Sequence, residues 1–325
     1  MKVRVIGAGA LGMLIAAALA EAGVQIELVT RSREQAEKLS AEGLQLVKMK
    51  KKAGMDQHKI TVRPSITTAE DLESNPDQQA APDWILLMVK QTAVTDKLAQ
   101  SIAAQMKPET RLICFQNGIG HTETLSRFIP IDQIWIAVTT EGALRHHSHG
   151  VEHTGSGITW LGPMNMANDE KKLNLLEKKL QNMFQDAGFS VSLSNKITSK
   201  VWNKLLINSV INPLTAILQI PNGMLTQLPA ITPLMRALFE EGVRLANKLG
   251  IELADDLWEQ LLTVCERTAA NQSSMLQDVR ACRLTELDSI TGGLLAKAQQ
   301  AGIELPSHRT VYQLVRSIEQ QWKKI

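Results

Sequence analysis

The chain has 325 residues, a formal net charge of +2, 44% hydrophobic residues and three cysteines. That length and apolar content suit two domains with real cores, and the near-neutral balance removes any electrostatic case for nucleic acid or a membrane surface as the main partner. Cys114, Cys265 and Cys282 are widely spaced and odd in number, as expected of reduced thiols in a cytoplasmic protein, no apolar run approaches membrane-spanning length, and an apolar strand beginning at residue 3 leaves no room for a targeting segment.

The first predicted strand, Val3-Arg4-Val5-Ile6, runs straight into Gly7-Ala8-Gly9-Ala10-Leu11-Gly12, followed by an alanine-rich helix, Met13 to Glu21, and a second strand, Gln25 to Thr30. A G-x-G-x-x-G run in this strand, turn and helix context predicts a dinucleotide site of the Rossmann type over Gly7, Ala8, Gly9, Ala10, Leu11 and Gly12. Gly7 permits the tight turn, Gly9 lets a pyrophosphate approach the backbone, and Gly12 lets helix and strand pack closely. The free N–H groups and positive dipole end of the helix then receive the phosphates. The second strand ends in Thr30-Arg31-Ser32-Arg33 rather than in an acidic residue. A guanidinium there suits a 2′-phosphate, so NADPH/NADP+ is favoured over NAD, with Arg31 the first candidate and Arg33 the second. Glu27 is the only acidic rival, but it lies inside the strand and is expected to project from its flank. The plainer alternative places both arginines on the exposed start of the next helix.

A helix is expected over Glu34 to Ala41, then a hairpin between Leu44 and Ile66 whose solvated turn carries the basic run Lys48 to Lys52, then a polar connector from Thr67 to Pro82. Asp83 to Val89, Arg111 to Phe115 and Ile134 to Thr140 read as buried parallel strands, with a meander through Gly150 to Gly162 and a last strand over Phe189 to Leu193. This alternation predicts a doubly wound sheet, whose ligands bind at the carboxyl ends of the strands. Lys90 and Asn117 stand at two such ends and are expected to reach the crevice of the glycine loop. Each has a local alternative, Lys90 as a solvent-facing strand end and Asn117 as a turn residue before Gly118. His146, His147, His149 and His153 lie in an apparent connection with no Asp, Glu or Cys at ligand spacing beside them, so a solvated turn is expected and no metal.

From about Ile197 the segments Val201 to Ile211, Leu214 to Leu218, Thr232 to Leu249, Ala254 to Ala270, Met275 to Gln300 and Ser307 to Lys324 all carry helical spacing. The fold class is therefore an α/β Rossmann N-terminal domain, residues 1–195, plus a mostly α-helical C-terminal domain, residues 196–325. Lys204, Asn208 and Asn212 follow one another at intervals of four and line one face of the first helix of that domain. Asparagines are poor helix formers, and a partly desolvated lysine beside them suits a proton donor. The alternative is a polar stripe facing water, with Asn212 serving a turn, because Pro213 is expected to end or kink the helix. Further on, Ser274 and Gln277 form a capping-box pattern, and a serine at a helix N-terminus is also compatible with a carboxylate site. Glu286 is expected twelve residues further along the same helix, roughly 18 Å away.

These residues together resemble the ketopantoate reductase family over essentially the whole chain. The resemblance rests on GAGALG at Gly7 to Gly12, Val89-Lys90-Gln91, QNGIG at Gln116 to Gly120, the run from Lys204 through Asn208 to Asn212-Pro213-Leu214-Thr215-Ala216, Pro221-Asn222-Gly223, and SSMLQD followed by RLTELD. It implies NADPH-dependent reduction of a 2-keto acid. Lys204 would protonate the developing alkoxide, Glu286 would act with it in substrate binding and catalysis, and Asn208, Asn212, Asn222 and Ser274 would hold the substrate, Ser274 near its carboxylate. Lys90 and Asn117 would lie near the nicotinamide and its ribose. If the substrate lies across the helix, the separation of Ser274 from Glu286 is explained. The glutamine directly beside Lys90 and the length of the Lys48 to Pro82 stretch depart from the family pattern and leave room for a paralogue with a different 2-keto or imino acid. A small-molecule substrate is expected, with no nucleic acid or membrane partner, in a monomer or homodimer. A cofactor-binding sensor without catalysis would need a broken Lys204 or Glu286, and both are present.

Overall fold

The computed structural model describes residues 1–48, 58–74, 81–164 and 170–322, and separates into two compact units. The first comprises Met1–Gln116 and His121–Ile197; the second comprises Asn117–Gly120 and Thr198–Ile325.

The strands of the first unit are β1 (Lys2–Ile6), β2 (Gln25–Thr30), β3 (Leu44–Val47), β4 (Lys59–Val62), β5 (Ser65–Thr68), β6 (Trp84–Leu87), β7 (Arg111–Cys114), β8 (Ile134–Thr139), β9 (Gly142–His147), β10 (Gly150–Gly155), β11 (Ile158–Pro163) and β12 (Ser190–Leu193). Its helices are α1 (Ala10–Glu21), α2 (Arg33–Glu42), α3 (Ala69–Ser74), α4 (Asp96–Ala103), α5 (His121–Leu125) and α6 (Glu170–Asp186). The main sheet runs β12-β11-β8-β7-β6-β1-β2-β5. From β5 to β8 every pair is parallel, and the order is that of a doubly wound nucleotide-binding sheet, reversing between β1 and β6. β11 then returns antiparallel to β8, and β12 pairs with it in parallel.

A second sheet, β4-β3-β10-β9, covers α1 on the side away from β1 and β2. That explains the sequence of α1: every residue from Gly12 to Leu19 is buried, so the helix is apolar all round instead of striped. It also corrects the expected meander, because β9 and β10 leave the main sheet and β10 pairs with β3 in parallel. Within the expected connector, Thr67 and Thr68 end β5 as an edge strand beside β2, and α3 follows directly. The basic run lies outside the described residues except for Lys48, which pairs with Glu21 at 2.6 Å.

The four histidines also differ from expectation. They sit on β9, β10 and the turn between them, and three have carboxylate partners: His146 with Glu152 at 2.7 Å, His149 with Glu42 at 3.0 Å and His153 with Glu141 at 2.7 Å. The fold supplies the acids that linear spacing did not: Glu152 from β10, Glu42 from the end of α2 and Glu141 from the residue before β9. Among the described residues no group of three or more His, Cys, Asp or Glu is placed to hold a metal ion, and no helix is long and apolar enough to cross a membrane.

The second unit is built from α7 (Ile197–Leu218), α8 (Met224–Gln227), α9 (Thr232–Lys248), α10 (Leu257–Arg267), α11 (Ser274–Arg280), α12 (Thr291–Ala301) and α13 (Pro306–Gln321). Its core gathers Trp202, Leu206 and Val210 of α7 with Leu238 and Leu245 of α9, Leu261 of α10 and Val315 of α13. Two sequence expectations change here: Pro213 does not end its helix, and the helix of Ser274 does not continue to Glu286. α7 runs unbroken through Pro213 for 22 residues; just beyond the proline the buried Thr215 hydroxyl lies 2.7 Å from the Ile211 carbonyl and 3.1 Å from that of Asn212. And α11 and α12 are separate helices. Cys282 takes φ +49° past the end of α11, with its N–H bonded to Val279 at 3.0 Å and the Arg283 N–H bonded to Asp278 at 2.9 Å. This is the paired-bond ending usually built on glycine. Glu286 therefore lies in the irregular stretch after α11, not on the helix of Ser274, and no substrate lying across a helix is needed to relate them.

Candidate active site

In the first unit the glycine loop leaves β1 at the point where the strand order reverses. A Cβ on Gly7, whose φ is +116°, would meet the Val89 nitrogen at 2.8 Å, and one on Gly12 would lie 1.9 Å from the Gly7 carbonyl oxygen. Both glycines are thus demanded by the fold itself. Gly9 is different: it precedes α1, caps it with no side chain, and has nothing within 4 Å of its Cβ position. Only the Met13 N–H of the first turn folds back, onto the Gly9 carbonyl at 2.9 Å. The turn therefore opens onto space where a side chain at position 9 would stand, which fits a phosphate group received by backbone donors. Gln35 of α2 braces this loop, donating to the Ala8 carbonyl at 3.0 Å and to the Ser148 carbonyl at 2.8 Å. The sequence reading missed it, since nothing local marks a glutamine at the third position of a helix.

The end of β2 resolves the acidic rival. Glu27 is buried and accepts from Arg4 Nε at 3.1 Å and Nη2 at 2.9 Å, with Lys2 3.1 Å away. Its carboxylate is consumed within the sheet. Arg33 donates to Asp71 of α3 at 3.2 Å, and Thr68 with Arg33 holds Asp71 below the ordinary carboxylate range. Arg31 is exposed and makes no hydrogen bond or ion pair among the described residues. Lys90 is exposed beyond the end of β6, where Gln116 ties the chain by donating to the Leu87 and Val89 carbonyls, both at 2.9 Å.

The second unit holds the other candidates. Lys204, Asn208 and Asn212 share a face of α7; Lys204 and Asn208 are half-buried and Asn212 is buried. The Asn208 and Asn212 side-chain amides make no hydrogen bond among the described residues, which is uncommon for groups so placed. Burial pushes the Lys204 ammonium down to about 8, while the Glu286 carboxylate pulls it back up. Glu286 accepts from Asn117 Nδ2 at 2.9 Å, and the Ile119 N–H bonds the Ser289 carbonyl at 3.0 Å. The turn at 117–120 is thus fastened to the stretch that carries Glu286. Asn222 is tied to the segment ahead of α11, through its N–H to Asn271 at 3.0 Å and Nδ2 to Thr268 at 2.9 Å, and leaves Oδ1 buried without a partner among the described residues.

Ser274 is exposed and is not the helix cap. Ser273 is: its hydroxyl accepts from Leu276 N–H at 3.1 Å and lies 2.7 Å from the Thr215 hydroxyl of α7, while Gln277 bonds the Gln272 carbonyl. The cap reading was displaced by one residue. Its consequence is useful, because Thr215 and Ser273 fasten the start of α11 to the helix that bears the polar face.

A sheet of this order with its glycine turn, and a helical unit presenting a lysine of loosened proton beside a carboxylate, are the parts of a two-domain dinucleotide-dependent oxidoreductase. Residues 3–166 match the family model described as ketopantoate reductase PanE/ApbA, and residues 196–319 match that of its C-terminal domain. The 2-dehydropantoate 2-reductase of Vibrio cholerae is 33% identical over 333 residues, with both chains covered in full. A solved PanE/ApbA family ketopantoate reductase from Ralstonia eutropha superimposes with a TM-score of 0.85 at 26% identity, covering 99% of this chain and 100% of that one. D-mandelate dehydrogenase, solved with NADH and anilino(oxo)acetate, gives the same TM-score at 25% identity and the same coverage. The chain belongs to the ketopantoate reductase PanE/ApbA family.

Proposed function

We propose that this chain is a cytoplasmic NADPH-dependent 2-dehydropantoate 2-reductase, converting ketopantoate to pantoate on the route to pantothenate and coenzyme A. Residues 1–195 hold the nucleotide and residues 196–325 hold the substrate and its acid. The observation that carries the reading is the polar face of α7, where a half-buried lysine precedes two asparagine amides that have no partner among the described residues; burial pushes the lysine ammonium down to about 8.

NADPH, when bound, supplies the hydride that arrives at C2 of the keto acid. Its phosphates would fall to the backbone donors of Ala8, Gly9, Ala10, Leu11 and Gly12, with Gly7, whose N–H is given to the Val29 carbonyl at 3.0 Å, shaping the turn; its 2′-phosphate would fall to Arg31, and its nicotinamide end to Lys90 and Asn117. Lys204 stabilises negative charge developing on the ketone oxygen and then gives it a proton, returning to its charged form from water. Its lowered pKa makes that transfer easier while leaving most of the lysine charged at neutral pH. Glu286 keeps Lys204 from losing its proton prematurely and is itself oriented by Asn117. Asn208, Asn212, Asn222 and Ser274 orient the keto acid, with Ser274 donating to its carboxylate.

The test is oxidation of NADPH, followed by its near-ultraviolet absorbance, with purified protein and ketopantoate beside other 2-keto acids, repeated with NADH. Oxidation with ketopantoate and NADPH is expected. The likeness to D-mandelate dehydrogenase makes the keto form of mandelate with NADH the sharpest competitor, and a preference for that pair would reassign substrate and cofactor. Size-exclusion chromatography is expected to give a monomer or homodimer.

A further inference from the structure

Glu286 stands between α11 and α12, in residues 281–290, a stretch with neither helix nor strand. A side chain on such a segment is only as well placed as the contacts that hold its backbone. Some of those contacts are local: the Glu286 carbonyl accepts the Ser289 N–H at 3.2 Å, the Ile290 N–H at 3.1 Å and the Ser289 hydroxyl at 2.9 Å, and the Ser289 carbonyl accepts the Ile119 N–H at 3.0 Å. On the side before Glu286 the hold comes from α13. Glu319, 3% exposed, accepts through one oxygen both the N–H of Thr285 at 2.9 Å and its hydroxyl at 2.7 Å. Its other oxygen accepts from Arg316 at 2.8 Å. On the following side, Asp288 accepts from the Tyr312 hydroxyl at 2.7 Å and from Arg316. The Thr285 hydroxyl also receives the Leu287 N–H at 3.1 Å. Tyr312, Arg316 and Glu319 lie on one face of α13, so a single helix face grips the residues on both sides of Glu286.

The chemistry of Glu319 indicates which contact matters. A carboxylate buried this deeply is costly unless both oxygens are paired, and Arg316, three residues away on the same helix, satisfies only one of them. The second oxygen is spent wholly on Thr285, the neighbour of Glu286.

We propose that Glu319 is a positioning residue of the reaction: through Thr285 it fixes the backbone from which Glu286 meets Asn117 and acts on Lys204. The inference rests on the reading of Glu286 as a residue of the active site. Loss of the anchor lets Glu286 drift, and turnover falls while the nucleotide half of the protein is untouched.

The test compares Glu319→Ala, Thr285→Val and Thr285→Ser, each alone and combined with Glu286→Gln, measuring kcat, KM for ketopantoate and the Kd for NADPH. Glu319→Ala and Thr285→Val are expected to lower kcat by roughly ten- to a hundredfold, the effect of a small misplacement, with NADPH affinity within about twofold. Thr285→Ser, which keeps the hydroxyl, is expected to retain most of the activity. In the Glu286→Gln background, adding Glu319→Ala is expected to cause little further loss, since the residue being positioned is already disabled. A loss that persists in full in that background would make Glu319 merely structural and overturn the proposal, as would near-normal turnover in folded Thr285→Val. If Glu319→Ala does not fold, the Thr285 pair carries the test. Unchanged turnover in Glu286→Gln alone would instead overturn the reading of Glu286, and the proposal with it.

Discussion

Replacing Glu286 by glutamine removes a charge that opposes the desolvation of Lys204, and the consequence is a shift in the pH profile. Lysine ordinarily titrates near 10.5; burial brings Lys204 to about 8 although Glu286 works against it. An opposite charge nearby is worth about one to three units, so Glu286→Gln is expected to lower the lysine by about one unit, or about 1.4 kcal/mol. The sign follows from the role: an acid must be protonated, so kcat/KM is high below the lysine pKa and declines as pH rises through it. At about pH 7.5, a pKa of about 8 leaves about three quarters of the lysine charged, whereas a pKa of about 7 leaves about one quarter. The assay is kcat/KM for ketopantoate at saturating NADPH across neutral and mildly alkaline pH, in the parent and the variant. The parent limb is expected to bend near pH 8 and the variant limb about one unit lower. Stability supplies a second readout with its own sign. A lysine whose folded pKa lies below its unfolded value destabilises the fold while both states are charged, and the penalty fades as pH rises from about 8 toward 10.5. Lys204→Met is therefore expected to abolish turnover yet raise stability at neutral pH, by on the order of 3 kcal/mol. An inflection that stays put in Glu286→Gln, or moves upward, would refute the electrostatic coupling; a parent profile with no bend near pH 8 would refute Lys204 as the acid.

Arg31→Ala is expected to weaken NADPH far more than NADH, whereas Arg33→Ala, which removes a residue already engaged by Asp71, is expected to change both little; equal losses in affinity titrations of the two variants would share the 2′-phosphate between them. Gly9→Ala is expected to melt like the parent and bind NADPH poorly, because its Cβ enters open space at the head of α1. Gly12→Ala is expected to lose several kcal/mol of stability or fail to fold, because the added carbon would lie 1.9 Å from the Gly7 oxygen; calorimetry of the two variants checks the contrast. Glu27→Leu is expected to cost about 3 to 5 kcal/mol by stranding the buried Arg4, and to leave the ratio of NADPH to NADH affinity unchanged; an altered ratio would return Glu27 to the nucleotide site.

What the sequence made legible follows the range of the interactions concerned. The glycine loop was readable because its parts are contiguous: Gly12 is pressed by the Gly7 carbonyl within the loop itself and Gly9 faces open space, although Gly7 is also pressed by the distant Val89. The polar face of α7 was readable for a similar reason: Lys204, Asn208 and Asn212 need only the helical repeat to come together. What was missed lies where distant segments decide. Glu27 does lie inside its strand and project from the flank, as expected, but its partner, Arg4, was not legible because it is 23 positions away on a neighbouring strand. His146 and His147 are exposed, as a solvated reading expects; what was hidden is the pairing of His146, His149 and His153, because their carboxylates arrive from β10, from α2 and from the residue before β9.

The break between α11 and α12 was hidden by residue type instead of by distance. A helix ending of this kind normally announces itself with glycine, and Cys282 occupies the position at φ +49°. With the break concealed, Glu286 and Ser274 were placed on one straight helix and given a separation that the chain does not have. The same error concealed Thr285, Glu319 and the face of α13, because a residue already fixed by a helix needs no external support. Once Glu286 is seen on an irregular stretch, its support has to be sought elsewhere, and the buried carboxylate of Glu319 acquires a reason to be there.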